Sequence, residues 1–357
     1  MNRVARTAAI VGGVLGAVAT GAALVLRRRM RVDPMAGEEL GELAGDRTST
    51  VVTGDGLALS AEEVDPADGG EPDVTVVYVH GFALSRRCWH FQRRDLAELV
   101  QPRVRQVFYD HRSHGRSGLA DLGTSSIEQL AADLDDVLRA LVPVGPIVLV
   151  GHSLGGMTVM ALAEARPELF TERVLGVALV CTAAGEVGRS GLSRPLLSRY
   201  NPLTRNLVRL AEWQPGLVEF VRASGGQLTR QATRRIAFGS RDVGPRLVDF
   251  MIEMLHVTPL RALADFVETF GRHDRYAALA ALSTCQVQVI AGDRDLITPF
   301  SHAERMAAEL PDAELVRVPG AGHMAMLEQP ELVNAHLAEL VARSVNTSQL
   351  SRRRSRR

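Results

Sequence analysis

Two periodicities alternate along most of the chain. Val74–Val79, Pro146–Val150, Val174–Val180, Val287–Ile290 and Leu315–Val318 are short, nearly continuous apolar runs, and Val104–Tyr109, interrupted by Arg105 and Gln106, reads as a strand ending in Asp110. Such runs predict strands buried on both faces. Between them the spacing turns helical. Ile127, Leu130, Ala131, Leu134, Val137, Leu138 and Leu141 share one helix face, with Ser125 or Ser126 as cap and Pro143 as stop. Met157–Ala165, Ala303–Leu310 and Met324–Val341 read as further helices. Strands alternating with helices predict an α/β fold, a mostly parallel sheet with helices on both faces. Ahead of it, Val, Thr and Leu around Gly54-Asp55-Gly56 predict a hairpin over Thr48–Leu59.

The rhythm breaks between Thr182 and about Tyr276, a span longer than ordinary loops reach. Helix-like runs replace it at Leu203–Trp213, Pro215–Ala223, Gln227–Phe238, Pro245–Leu255 and Leu260–Phe270. Their large apolar residues, among them Trp213, Phe220, Phe250, Met251, Met254 and Phe266, predict an inserted helical cap. At the start of the chain, Ala8–Leu26 is apolar for about 19 residues, enough to span a bilayer as a helix. Arg3 and Arg6 precede it and Arg27, Arg28, Arg29 and Arg31 follow. Ala17-Val18-Ala19 resembles a signal-peptidase site, but the apolar run continues past it into an arginine cluster, which favours an uncleaved single-pass anchor. The arginine excess on the far side leans towards a cytoplasmic catalytic domain, and the side stays open. The expected organisation is an anchor at 1–31, a linker at 32–47, a core at 48–184 and 276–344 interrupted by the cap at 185–275, and a basic disordered tail at 345–357.

Composition narrows the function classes. The chain has 357 residues, 46% of them hydrophobic, so a sizeable core can form. Its 41 basic residues, all arginine, balance 41 acidic ones, which argues against nucleic acid as a partner. Cys88, Cys181 and Cys285 are too widely spaced for a disulfide framework or a metal knuckle, and the last two read as inert core thiols. No H-x-H or H-E-x-x-H occurs, so no metal or other cofactor is expected.

The candidate chemistry centres on Gly151-His152-Ser153-Leu154-Gly155, a G-x-S-x-G between a strand and a helix. That context is what a nucleophile elbow requires, and a Cβ at Gly151 or Gly155 is expected to press on the neighbouring strand or helix. A serine hydroxyl needs a base, and the base needs a carboxylate. Both occur downstream, after strands: Asp295 in Gly292-Asp293-Arg294-Asp295-Leu296-Ile297-Thr298-Pro299, and His323 in Gly320-Ala321-Gly322-His323.

Five places taken in order carry a resemblance to a known family. These are His80-Gly81-Phe82, Asp110-His111-Arg112-Ser113-His114-Gly115-Arg116-Ser117, the elbow, the acid loop ending in Pro299, and the histidine loop ending in Pro330. Over about residues 48–343 the chain closely resembles the α/β-hydrolase superfamily, in its cap-bearing, lipase/esterase-like branch. Ser113 departs from the pattern, since the family usually has glycine there. The resemblance implies Ser153 as nucleophile, His323 as general base then acid, and Asp295 as its orienting carboxylate. It also implies an oxyanion hole made by the backbone N–H groups of Phe82 and Leu154, each such donor worth roughly 3 kcal/mol. Asp293 and Glu186 are rival acids that the spacing disfavours. His80 and His152 read as structural, and His111 and His114 as parts of a turn. His256 lies in the cap, and His90, His273, His302 and His336 show no partner pattern.

A serine in the elbow points to attack on an acyl carbonyl. The expected function is cleavage of lipophilic carboxylic esters through an acyl-enzyme. Cofactor-free perhydrolase, haloperoxidase-like or carbon–carbon hydrolase chemistry and a low-turnover ligand-binding protein are the alternatives. Acyl preference and oligomeric state stay open.

Overall fold

The computed structural model describes residues 33, 35, 37–121, 123–187 and 226–355. It divides into two compact units, one including Gly244–Arg246, where the Arg246 N–H donates to Asp33 (3.0 Å), the other comprising Glu39–Val243 and Leu247–Arg357. The sheet and the candidate site lie in the second.

Eight strands form one sheet in the order β1-β2-β4-β3-β5-β6-β7-β8. The hairpin is β1 (Arg47–Val52) and β2 (Ala58–Val64), joined through Gly54-Asp55-Gly56. Then come β3 (Val74–Val79), β4 (Val104–Tyr109), β5 (Ile147–His152), β6 (Val174–Val180), β7 (Gln286–Gly292) and β8 (Glu314–Val318). β1 and β2 pair antiparallel, as do β2 and β4, and every other pair is parallel. All residues of β3 and β5 are buried, as strands covered on both faces must be.

The helices alternate with the strands as the spacing predicted. The described ones are α1 (His90–Leu96), α2 (Ile127–Leu141), α3 (Leu154–Ala165), α4 (Pro167–Glu172), then α5 (Gly226–Ala237), α6 (Pro245–Val257) and α7 (Leu260–Arg272) in the insertion. After β6 and the insertion come α8 (Leu279–Leu282), α9 (Phe300–Glu309), α10 (Ala325–Glu328) and α11 (Pro330–Ser355). Ser126, rather than Ser125, caps α2, accepting from the Gln129 N–H (3.1 Å). One continuous apolar core joins the inner residues of α2 and α3 to Val77, Leu149, Val177 and Val289 of the sheet.

Several expectations are corrected. The single helix expected at Met324–Val341 is two. Pro330 has no N–H to continue a helix and pushes Gln329 out of the helical region, to φ −137°, ψ 63°. The tail expected to be disordered is helix as far as Ser355. Val345 is buried, and the buried Ser344 hydroxyl donates to the Leu340 carbonyl (2.7 Å), so polarity in the sequence did not mark exposure. In the expected linker Leu40 is buried, and the Arg87 guanidinium donates to the carbonyls of Leu40 and Gly41. The helices α1, α4 and α8 are too short to show a period. The expected helices at Leu203–Trp213 and Pro215–Ala223, and the apolar segment Ala8–Leu26, lie outside the described residues. Among the described residues, no helix is long and apolar enough to cross a membrane.

Candidate active site

Ser153, Asp295 and His323 follow the carboxyl ends of β5, β7 and β8, on the edge of a parallel sheet where such folds place their ligands. Ser153 sits between β5 and α3 at φ 53°, ψ −115°, a left-handed conformation that a side chain rarely adopts. The surroundings hold it there. Its N–H donates to the Val180 carbonyl (3.0 Å), and its own carbonyl accepts from the Thr182 hydroxyl (2.7 Å). The elbow glycines have the steric reason expected of them. A Cβ on Gly155 would lie 2.0 Å from the Val79 carbonyl oxygen, and one on Gly151 would lie 2.7 Å from the Gly155 backbone.

Asp295 and His323 are brought together. The Asp295 carboxylate accepts from His323 Nδ1 at 2.8 Å. This fixes the proton on Nδ1 and leaves Nε2 as the basic nitrogen. The other carboxylate oxygen accepts from the N–H groups of Ile297 (2.8 Å) and Thr298 (2.9 Å). Burial alone would push the Asp295 carboxyl up. The His323 and Thr298 interactions outweigh it and hold the group below its ordinary value. The two rival acids have other partners. Asp293 accepts from the Gly320 N–H (2.7 Å), and Glu186 pairs with Arg305.

Two contacts at this site had no signal strong enough to be read from the sequence. The Thr298 hydroxyl lies 2.9 Å from Asp295 Oδ2 and 3.0 Å from the Cys181 carbonyl, tying the acid loop to the end of β6. His152, buried, bonds through Nε2 to the His323 carbonyl (2.9 Å), and the two rings stand 4.9 Å apart. Their signals were a threonine three residues after the acid and a histidine beside the nucleophile, and neither names its partner.

The loop His80-Gly81-Phe82 lies against Ser153, since a Cβ on Gly81 would be 3.2 Å from the Ser153 Cβ. Three buried histidines hold that loop. His80 Nε2 accepts from the His111 N–H (3.0 Å) and its Nδ1 donates to the Gly81 carbonyl (2.8 Å). His114 Nε2 accepts from the Ala83 N–H (3.1 Å) and its Nδ1 donates to the Arg112 carbonyl (2.8 Å). His111 Nε2 donates to the His80 carbonyl (3.0 Å). Each acceptor bond needs a neutral ring, and burial lowers His80 to about 4 and His114 to about 3. Ser113, the departure from the pattern, takes φ 63°, the left-handed geometry that glycine would adopt freely. Its hydroxyl accepts from the Ala120 N–H (3.0 Å), so the turn keeps its shape.

The insertion covers this loop. The Phe82 ring packs edge-on against Phe270 (5.2 Å) and Phe266 (6.2 Å) of α7. His256 is exposed on α6, and His273 bonds to the Ala183 carbonyl (2.8 Å). All three cysteines are free and buried, and burial raises the Cys285 thiol to about 11. Among the described residues, Glu314, His336 and Glu339 could present ligand atoms to one cation. Arg343 already pairs with both carboxylates, and the group stands on β8 and α11, in no contact with Ser153.

The arrangement can present a serine oxygen at a helix N-terminus, on the sheet edge that also carries a base whose tautomer a buried carboxylate fixes. Leu154 opens α3, so its N–H has no partner inside the helix.

A family model described as alpha/beta hydrolase family matches residues 76–336. The dihydrolipoyllysine-residue acetyltransferase component of the acetoin cleaving system of Pseudomonas putida is 28% identical over 270 residues, 75% of this chain and 64% of that protein, so the chain spans less than two thirds of its length. A pimeloyl-[acyl-carrier protein] methyl ester esterase of Nitrosomonas europaea is 28% identical over 268 residues, 74% of this chain and 93% of that one. Among solved structures, a thermophilic esterase from Thermogutta terrifontis superposes with a TM-score of 0.65 at 25% identity, covering 84% of this chain and 99% of that one.

Proposed function

Because this chain belongs to the alpha/beta hydrolase family, we propose that its hydrolase activity is the cleavage of lipophilic carboxylic esters by Ser153. The observation that carries this reading is the strained elbow serine next to His152, whose ring bonds to the carbonyl of a histidine that has its Nδ1 held by a buried carboxylate. In this mechanism Ser153 Oγ attacks the ester carbonyl while His323 Nε2 takes its proton. The N–H groups of Phe82 and Leu154 receive the oxyanion. His323 then protonates the departing alcohol, and a water activated by His323 hydrolyses the acyl-enzyme. Supporting a lipophilic acyl group are the apolar side chains of the insertion, including Phe250, Met251, Met254 and Phe266, and the esterases among the relatives.

A fluorophosphonate probe is expected to label the protein at Ser153, located by mass spectrometry of the modified peptide, and p-nitrophenyl esters are expected to be hydrolysed. Labelling elsewhere would refute the assignment. Peroxide-dependent halogenation or β-diketone cleavage far outrunning ester turnover would move the chemistry to another class of the same fold.

Ala8–Leu26 with its flanking arginines supports a single-pass membrane anchor in the same proposal. Deleting residues 1–31 is then expected to move the protein from the membrane to the soluble fraction. An unchanged distribution on fractionation would exclude the anchor.

A further inference from the structure

The residues on either side of His323 are both tied to the inserted cap, Met324 directly and Gly322 through Glu328. The Met324 N–H donates to the carbonyl of Ala237, the last residue of α5 (3.1 Å). The Gly322 N–H donates to Glu328 (2.6 Å). That same carboxylate accepts from the N–H groups of Gly239 (2.9 Å) and Ser240 (3.1 Å), which continue the chain out of α5. The two backbones meet closely enough to require glycine on both sides. A Cβ on Gly239 would lie 2.5 Å from the Gly322 nitrogen, and a Cβ on Gly322 would lie 2.5 Å from the Gly239 nitrogen. Glu328 is half-buried, and the three N–H donors satisfy it as an ionised acceptor.

We propose that Glu328 is a positioning residue that seats the cap and the His323 loop on one carboxylate, so that where α5 ends sets where the base stands. The role rests on the esterase reading above, because it acts through His323. Its physical basis is that three N–H groups from two segments converge on one group, and no other side chain in the loop can replace it. A glutamine offers one carbonyl oxygen to three donors and turns an N–H towards at least one of them.

Native-state hydrogen exchange on wild type and Glu328→Gln, together with ester kinetics, tests this. In wild type the amides of Gly239, Ser240 and Gly322 are expected to exchange with one shared protection, as a single opening unit. In Glu328→Gln all three are expected to exchange faster while the strands keep their protection. The ester kcat is expected to fall roughly 10- to 100-fold with KM moving less than about threefold, the signature of a misplaced base rather than lost binding. Unrelated protection at the two segments in wild type would overturn the proposal whether or not Glu328→Gln folds. So would faster exchange with kcat unchanged. Absence of ester turnover in wild type would remove the esterase reading, while the shared protection still decides whether the clamp exists.

Discussion

Ser153→Ala is expected to lower kcat/KM for p-nitrophenyl esters by about 10⁵- to 10⁶-fold, the loss typical of removing the nucleophile from a serine–histidine–carboxylate unit. In the proposed mechanism the mutant would keep only whatever the N–H groups of Phe82 and Leu154 and substrate binding supply without covalent catalysis. The fold should survive. Alanine carries the same Cβ into the φ 53° conformation, so the backbone strain does not change, and the bonds that hold the elbow run through the backbone of residue 153. The expected result is therefore a protein with wild-type circular dichroism and melting temperature, no fluorophosphonate labelling, and ester turnover near background. Turnover within about tenfold of wild type would assign the reaction to another residue.

The second large effect is on stability, between pH 7.5 and 5. His80, His114, His152 and His273 are buried, and burial lowers them to about 4, 3, 3 and 4. Each binds its proton more tightly when unfolded, near pH 6.5, than when folded. Their neutral forms therefore stabilise the fold fully above pH 6.5. That contribution is lost as the pH falls from 6.5 towards the folded values, because the unfolded chain gains protons that the fold excludes. At pH 5 each such ring has cost the fold about 2 kcal/mol, a large share of an ordinary domain's stability when four act together. Asp110 and Glu328, raised by burial, work in the opposite sense. Carboxylates in the unfolded chain titrate chiefly near pH 4, below this window. The melting temperature is expected to drop by at least about 10 °C from pH 7.5 to pH 5, followed by circular dichroism. A flat profile across that range would show that these rings are not held neutral by the fold.

Much of this was legible before any coordinates. Val74–Val79 and Val174–Val180 are strands with the very ends that their apolar runs mark, because a parallel strand covered on both faces has no polar side to blur its limits. The α2 helix likewise keeps both expected ends, set by Ser126 and the run before Pro143. Asp295 was separable from Asp293 by spacing, and the His323 bond agrees with that choice. Where the reading failed, local polarity misled it. Ser344 and Val345 continue a helix that a polar stretch was expected to end, and Leu40 is buried in a stretch taken for a linker.

By itself the sequence determined the order of the strands and of the longer helices between them, and it named the three residues expected to carry the candidate chemistry. Each of these is written in local terms, as a period of apolar side chains or a glycine-bracketed turn. Only the tertiary structure decided which groups hold those residues in place. The Thr298 hydroxyl on the Cys181 carbonyl, the ring of His152 on the His323 carbonyl, the bonds from His111 to His80 and from Ala83 to His114, and the Glu328 carboxylate on the Gly239 N–H all join segments far apart in the chain. A hydrogen bond between distant residues leaves no period in the sequence. It exists only once the carboxyl ends of β3, β5, β7 and β8 have been brought to one edge of the sheet, and packing rather than local pattern brings them there.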